Sequence, residues 1–405
     1  MLDWFKENFD LVTFFSIIFL LVMGALSVYS ATYDAGASKY FYRQLVWMGI
    51  GIVLMLIVMM IPFRTLQLLS YPIYIFSLFG LVAVLIAGKT IAGSTSWFGV
   101  KGFGLQPSEV VKATTVLAMA SYLSGPKVQL NKFYQIIRAS SFAIVPIILI
   151  LLEPDMGTAV IYVGMVIVIL FWAGISTFFI ITVTAPGIAA LAALYGTTPF
   201  LIVVVILLIT LLVLRENHFL SAVSFSATVL VGISVQVIFG KLAPHQQKRI
   251  LIFMNPDMDP LGAGYNVMQS KIAIGSGGLF GKGYLQGTQT QLNFLPAQWT
   301  DFIFCVPCEE FGFVGALLII TLLTALLLRG VYIAKTAKNR YASLVAIGVT
   351  SCLLVHTVIN VGMSMGIFPV VGVPLPFMSY GGSNLLTNLM MGGLLLNMYS
   401  NRKEY

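Results

Sequence analysis

Hydrophobic residues in this chain are grouped into runs of roughly 20 residues, which is the length an α-helix needs to cross the hydrocarbon core of a bilayer. Short polar stretches separate most of these runs. The pattern predicts an all-α polytopic membrane protein, a helical bundle with about twelve transmembrane helices. The predicted spans are roughly 10–30, 45–62, 68–88, 107–124, 139–153, 158–174, 177–195, 199–214, 218–239, 303–329, 341–364 and 380–400.

Composition and charge agree with this pattern. The chain has 405 residues, of which 59% are hydrophobic and 9% charged, with a formal net charge of +8. If the N-terminus is cytoplasmic, twelve Lys and Arg residues fall on the inner side and four on the outer side, outside the segment 240–302. Because short cytoplasmic loops carry the excess of cations, both termini are expected in the cytoplasm. No basic patch interleaved with aromatic residues favours nucleic-acid binding.

The segment 240–302 is the long polar interval of the chain, and it is expected to be one large extracytoplasmic loop. It concentrates charged residues and glycines, which indicates either a functional site or a solvated surface. Its glycines suit a backbone folded close to a ligand or to the membrane surface. The three histidines of the chain are scattered, with no pair at metal-ligand spacing.

Two motifs place charge beside predicted spans on the outer side. In Q-P-S-E-V-V-K, Glu109 and Lys112 share one helical face, which is compatible with a site or with a structural ion pair. In E-P-D-M-G-T, Asp155 or Thr158 is suited to cap the next helix.

A third motif, residues 369–383, is apolar but interrupted by prolines and glycines. Such a segment does not form a regular helix. Irregular backbone at membrane depth persists where it is buried or lines a cavity, so this segment is expected to form a cavity wall.

Together these motifs resemble the SEDS family (shape, elongation, division and sporulation). The resemblance rests on N-P-D-M-D-P-L-G-A-G-Y, Q-S-K-I-A-I-G-S-G-G-L-F-G-K-G, L-P-x-x-x-T-D-F-I-F, E-E-x-G and P-L-P-F-M-S-Y-G-G-S, with the Q-P-S-E and E-P-D motifs. V-G-V-P-L-P and G-T-Q-T-Q-L-N-F-L-P are similar to the cell-elongation branch. The resemblance implies a peptidoglycan glycosyltransferase of the bacterial cytoplasmic (inner) membrane. It also implies lipid II as substrate, a class B penicillin-binding protein as partner, and a place in the elongation machinery.

The chain departs from the family pattern in two places. Relatives typically have ten spans, so residues 177–217 are interpreted as an inserted helical hairpin within a single membrane domain, 1–405. The family commonly has Pro-Glu-x-His-Thr-Asp where this chain has Pro-Ala-Gln-Trp-Thr-Asp, ending at Asp301. Any role of that Glu or His is therefore absent here.

Polymerising lipid II requires a base for the attacking sugar hydroxyl and stabilisation of the departing undecaprenyl diphosphate. Asp301 is the candidate base, because partial burial at the mouth of a span would raise its proton affinity. The alternative is that Asp301 caps a helix beginning at Phe302. One catalytic carboxylate fits inversion at the anomeric carbon.

Candidate substrate contacts complete the predicted site. Lys112, oriented by Glu109, is predicted to meet substrate charge, although the loop cations are also compatible with a solvated surface. A divalent cation, Mg²⁺ or Mn²⁺, is a further candidate, with Asp301 as its ligand. The other predicted substrate-binding residues are Arg249, Lys271, Lys282, Thr300, Ser379 and Tyr380.

Two other functions are compatible with parts of the sequence. A lipid II flippase or transporter would also use about twelve spans, broken helices and an intramembrane ion pair. No inverted repeat is evident, however, and the charges concentrate outside the membrane midplane. A scaffold that only recruits a partner would leave Asp301 and the Glu109–Lys112 pair without a purpose.

Overall fold

The computed structural model describes residues 9–33, 36, 38–91, 94–100, 103–130, 132–214, 218–241 and 264–404. Of the predicted loop it covers both ends. Arg249 lies outside the described residues.

Fifteen helices and three short strands make up the described part of the chain, and the twelve helices of 17 residues or more coincide with the twelve apolar runs. In chain order the elements are α1 (Leu11–Tyr33), α2 (Ser38–Met60), α3 (Phe63–Ala87), β1 (Lys89–Ile91), β2 (Ser94–Val100), β3 (Phe103–Leu105), α4 (Pro107–Leu123), α5 (Phe133–Leu152), α6 (Met156–Ala173), α7 (Thr177–Leu194), α8 (Thr197–Leu214), α9 (His218–Lys241), α10 (Tyr265–Ser276), α11 (Thr288–Gln291), α12 (Cys305–Glu310), α13 (Gly312–Thr336), α14 (Arg340–Ser364) and α15 (Gly382–Ser400).

Ten of these helices are long and apolar enough to cross a membrane, which confirms a multi-pass membrane protein. The two other long helices, α4 and α15, are almost entirely buried by their neighbours. Because protein surrounds them, they carry polar side chains that would be costly against lipid, such as Lys112 and Asn388. These two interior helices supply much of the site described below.

A small antiparallel sheet, with strand order β1-β2-β3, connects α3 to α4. The sequence analysis did not include it, because these strands are short and rich in Gly, Ser and Thr between two strong apolar runs. The pairing of Gly99 with Gly104 lets Trp97 lie flat on the neighbouring strand, where a Cβ at Gly104 would be 2.8 Å from the indole ring. The sheet thereby orients Trp97.

Residues 174–265 form a separate compact unit of the chain. In it α7 packs along α9 and against α8. A Cβ at Gly232 of α9 would lie 2.1 Å from the ring of Phe200 in α8, so these two helices approach closely at that point. The predicted hairpin 177–217 thus supplies two of the three long helices in this unit. Its interpretation as an insertion stays a prediction.

The predicted span 303–329 is interrupted near its start. Helix α12 ends at Glu310, and α13 begins at Gly312, whose φ of +63° ends the helical path. A side chain would not fit there, because a Cβ at Gly312 would lie 2.3 Å from the backbone nitrogen of Gly281. The first turns of this apolar run therefore belong to the outer loop, and the span itself starts at Gly312.

Candidate active site

A cavity of about 510 Å³ lies between β2, the start of α4, the turn before α6, the turn before α12 and the segment 365–381. Segment 365–381 connects α14 to α15 without helical backbone, as its prolines and glycines predict, and residues 370–374 form part of the cavity wall. The polar residues lining the cavity are Ser96, Gln106, Glu109, Asp155, Thr158, Thr300, Asp301, Tyr380 and Asn384.

Asp301 faces this cavity from the turn before α12. A Cβ at Gly372 would lie 3.6 Å from Oδ2 of Asp301, so the opposite wall leaves room for the carboxylate. Burial raises the pKa of Asp301 to about 6, and a hydrogen bond from Thr300 opposes this increase. The carboxylate is therefore mostly ionised at pH 7 and holds a proton more readily than an ordinary aspartate, as a general base requires.

The alternative role of Asp301 as a helix cap is wrong. The helix that follows it begins at Cys305, and Phe304 occupies the N-cap position. The backbone carbonyl of Asp301 instead accepts a hydrogen bond of 2.8 Å from Nδ2 of Asn360 on α14. The turn is thereby fixed through its backbone, and the carboxylate is left towards the cavity.

Glu109 and Lys112 form a buried ion pair on the first turns of α4, where Pro107 occupies the start of the helix as predicted. Nζ of Lys112 lies 2.9 Å from each carboxylate oxygen of Glu109. It lies 2.8 Å from Nε2 of His356 on α14. Lys112 is 0% exposed and Glu109 3%, so each charge depends on the other in the absence of water.

The order of this pair towards the cavity differs from the prediction. The sequence analysis expected Lys112 at the substrate with Glu109 behind it, whereas Glu109 lines the cavity and Lys112 lies behind it. Nδ2 of Asn384 donates a 3.0 Å hydrogen bond to Glu109, and Asn384 in turn accepts one from Asn388. The carboxylate therefore has partners on two sides and presents its remaining surface to the cavity.

His356 was missed by the sequence analysis, which found no role for the three histidines. A signal was present: His356, Asn360 and Ser364 recur every four residues in an otherwise apolar span. This spacing puts all three on one helical face. All three are fully buried, which requires polar partners inside the bundle.

Asp155 combines the predicted capping role with a place in the cavity wall. Its carboxylate accepts hydrogen bonds of 3.0 Å and 2.8 Å from the backbone nitrogen and the hydroxyl of Thr158, which caps α6. Nε2 of Gln106 donates a third hydrogen bond of 3.1 Å. Burial, reinforced by the charge of Asp155, raises the pKa of the preceding Glu153 to about 8.

Three predicted substrate-binding residues meet at the end of the irregular segment. Thr300 and Tyr380 line the cavity, but Ser379 is buried beside it. The hydroxyl of Ser379 donates 2.7 Å to the carbonyl of Thr300 and accepts 2.8 Å from the nitrogen of Leu375. In this structure Ser379 therefore holds the segment against the turn that carries Asp301.

An aromatic cluster lies beside these residues. Trp299, at the position of the family's His, stacks on Tyr40 at 5.6 Å, and Tyr40 contacts Tyr380 edge-on at 5.2 Å. Arg43 forms a hydrogen bond with the hydroxyl of Tyr380. A cation that the sequence analysis did not select is therefore held at a residue of the cavity wall.

The predicted loop cations do not line this cavity. Lys282 forms a 2.8 Å ion pair with Glu309 and a 2.7 Å hydrogen bond with Thr288. Lys271 is exposed on α10 and lies close to Gly366. Contacts of Lys271, Lys282 and Arg249 with a diphosphate stay predictions.

The E-E-x-G motif fastens the outer loop to the bundle. Burial alone would raise the pKa of Glu309, but hydrogen bonds from Lys282, from the nitrogen of Gln289 and from Thr290 lower it below the ordinary value. Glu310 accepts hydrogen bonds from the hydroxyl of Ser30 and the nitrogen of Leu285. Both carboxylates therefore have structural partners.

The loop glycines follow from this arrangement. A Cβ at Gly277 or Gly281 would lie 2.0 Å from a backbone oxygen of α12, that of Cys308 or Glu310 respectively. These two glycines thus allow the loop to approach the protein's own helix, whereas the sequence analysis expected a ligand or the membrane surface.

A divalent cation has one candidate carboxylate in the cavity. In the described part of the chain no three His, Cys, Asp or Glu side chains are close enough to hold a metal ion. Glu109 is paired with Lys112, and Asp155 is engaged in capping α6. Asp301 would therefore supply one ligand, and further oxygens would have to come from a substrate and water.

Comparison with known proteins agrees with the resemblance found in the sequence. The FtsW/RodA/SpoVE model, described as "Cell cycle protein", matches residues 8–201 and 182–404. The chain is 34% identical to the peptidoglycan glycosyltransferase RodA of Treponema pallidum, over 97% of this chain and 98% of that protein. It is 32% identical to the peptidoglycan glycosyltransferase MrdB of Escherichia coli, over 99% and 96% respectively.

Solved structures share the fold. A chain of the structure described as "Structural coordination of polymerization and crosslinking by a peptidoglycan synthase complex" superposes with a TM-score of 0.76 at 27% identity, covering 98% of this chain and 99% of that one. The rod shape determining protein RodA of Thermus thermophilus gives 0.65 at 25% identity, covering 98% of each chain.

Fold and site together define a multi-pass membrane protein with a carboxylate-lined cavity at one end of its interior helices. The chain belongs to the FtsW/RodA/SpoVE family of cell cycle proteins, the family that its motifs indicate.

Proposed function

We propose that this protein is a peptidoglycan glycosyltransferase that polymerises lipid II into glycan strands at the outer face of the bacterial cytoplasmic membrane during cell elongation. The observation that carries the proposal is Asp301, a partly buried carboxylate with a pKa of about 6 that faces a cavity of about 510 Å³. Relatives that are named peptidoglycan glycosyltransferases support this reaction class.

Asp301 acts as the general base. Its carboxylate accepts the proton of the 4-hydroxyl group of the acceptor sugar while that oxygen attacks the anomeric carbon of the donor. One carbon–oxygen bond forms, and the bond from the anomeric carbon to undecaprenyl diphosphate breaks. A single displacement with one catalytic carboxylate inverts the configuration at that carbon.

The departing diphosphate requires positive charge near the cavity. Arg43 is held at Tyr380 in the cavity wall, and it joins Lys271, Lys282 and Arg249 as a candidate. Lys112 acts through Glu109, because it is 0% exposed. A divalent cation on Asp301 would supply further charge stabilisation when bound.

The charge distribution between loops supports cytoplasmic termini and an outer position for 240–302. A related chain occurs in a structure described as a peptidoglycan synthase complex that coordinates polymerisation with crosslinking. We therefore propose a class B penicillin-binding protein as the partner that crosslinks the product.

The test is to incubate purified protein and partner with lipid II in detergent and to resolve the products on a gel. Glycan polymer is expected, and it should depend on this protein when the partner's crosslinking is blocked. The same protein in lipid II vesicles distinguishes the flippase alternative. Transfer of lipid II between leaflets without any polymer would overturn the proposal.

The pH dependence of polymerisation should follow Asp301. Below its pKa of about 6 the carboxyl group already holds a proton and does not accept another. The rate should therefore be half-maximal near pH 6 and fall about tenfold for each lower pH unit. Initial rates from pH 4.5 to 8 measure this, with protein integrity checked at each pH. A rate constant down to pH 4.5 in intact protein would exclude Asp301 as the base.

A further inference from the structure

Helix α14 carries a row of buried polar side chains behind the cavity: His356, Asn360 and Ser364. Neither His356 nor Asn360 lines the cavity. Polar groups in a membrane-spanning helix are costly unless they are hydrogen-bonded, so what these two side chains hold is informative.

Asn360 ties the turn of Asp301 to the cavity wall. Its Nδ2 donates 2.8 Å to the carbonyl of Asp301 and 2.7 Å to the carbonyl of Val373. A side-chain amide nitrogen has two hydrogens and can bridge two acceptors at once, which a hydroxyl does not do. The two carbonyls belong to segments more than 70 residues apart in sequence, so this bridge replaces a direct contact between them.

His356 makes the corresponding bridge one helical turn away. Its Nδ1 lies 3.1 Å from the carbonyl of Pro374, and its Nε2 lies 2.8 Å from Nζ of Lys112. Because Lys112 is a donor and the carbonyl an acceptor, the neutral ring donates from Nδ1 and accepts at Nε2. The ring therefore links the Glu109–Lys112 pair to the residue next to Val373.

These contacts share one support. Val373 and Pro374 are consecutive, so the Asp301 turn and the Glu109–Lys112 pair are both referenced to the same short stretch of wall. Both connections run through α14, a helix that is mostly buried and therefore well fixed.

We propose that Asn360 and His356 are positioning residues that set the spacing between Asp301 and Glu109 across the cavity. This inference rests on the proposed glycosyltransferase function. Loss of either bridge leaves the substrate-contacting side chains in place chemically but misplaces them. A displacement of about 1 Å from a productive geometry costs on the order of 100-fold in rate.

The principal test compares Asn360→Leu with Asn397→Leu in the complex with the partner. Asn397 is a matched control, because its buried Nδ2 likewise bridges backbone carbonyls, those of Val58 and Met59, and it does not line the cavity. Leucine has a similar size and no donor. Rates are measured over a range of lipid II concentrations, and thermal unfolding is followed for both variants.

For Asn360→Leu we expect kcat to fall roughly 10- to 100-fold with KM within about twofold of the wild-type value. Asn397→Leu should lose a similar amount of thermal stability and keep its kcat. If Asn360→Leu retains wild-type kcat, or if both variants lose kcat in parallel with stability, the positioning role is wrong.

The second arm keeps the inference testable if Asn360→Leu does not fold. His356→Gln retains a donor and an acceptor, whereas His356→Phe retains neither, so Gln should recover at least part of the kcat that Phe loses. Equal kcat for the two variants, in protein of equal thermal stability, would overturn the role of His356. A wild-type complex that forms no polymer would instead contradict the proposed function.

Discussion

Asp301→Asn is expected to abolish glycan polymerisation while the protein still folds and binds its partner. The substitution keeps the size of the side chain but removes the basic oxygen that accepts the proton of the attacking hydroxyl. General-base catalysis contributes roughly 10²- to 10⁴-fold, so activity should fall below detection in a gel assay. The backbone carbonyl of residue 301 would still accept its hydrogen bond from Asn360.

Asp10→Asn is a matched control for this change. Asp10 is 1% exposed and accepts two hydrogen bonds, of 2.9 Å and 2.8 Å, from Arg329, and it does not line the cavity. Its neutral variant should lose thermal stability and retain polymerisation per folded molecule. Wild-type activity in Asp301→Asn would remove Asp301 from the mechanism.

Lys112→Met should lose both activity and stability. Methionine fills a similar volume but leaves the carboxylate of Glu109 buried without its cation. Breaking a buried ion pair by removing one partner costs roughly 3–5 kcal/mol. His356 would also lose its donor at Nε2. Thermal unfolding and polymerisation of the purified variant measure the two effects separately.

Glu109→Gln should be the milder change, because the amide oxygen still accepts a hydrogen bond from Lys112. Combining it with Lys112→Met removes both charges and should recover part of the lost stability. Polymerisation should not recover with it, since the carboxylate that lines the cavity is still absent. A double variant that regains stability and activity together would make the pair purely structural.

The membrane architecture could be predicted because it depends on local sequence. The length and hydrophobicity of a run decide whether it can cross a bilayer, and the twelve runs coincide with twelve long helices. The small sheet around Trp97 lacked such a signal. The break before Gly312 was also missed, because it depends on how closely the backbone at Gly281 approaches.

The candidate site was predictable only in part. Asp301, Glu109, Thr300 and Tyr380 were selected from motif and position, and they line one cavity. The sequence did not reveal that Lys112 lies behind Glu109, because two residues on one helical face are equivalent until a neighbouring helix covers one of them. Ser379 and Lys282 were selected as substrate contacts, and in this structure they hold the carbonyl of Thr300 and Glu309 respectively.

The sequence by itself determined that this chain is a multi-pass α-helical membrane protein of the FtsW/RodA/SpoVE family, since hydrophobic runs and ordered motifs are written locally along the chain. Only the tertiary structure decided which polar groups meet. His356 and Asn360 read as isolated polar residues in an apolar span, and their purpose emerges when α14 packs beside α4 and segment 365–381. The physical reason is that a buried hydrogen bond depends on atoms brought within about 3 Å by packing, and spacing along the chain does not encode that distance.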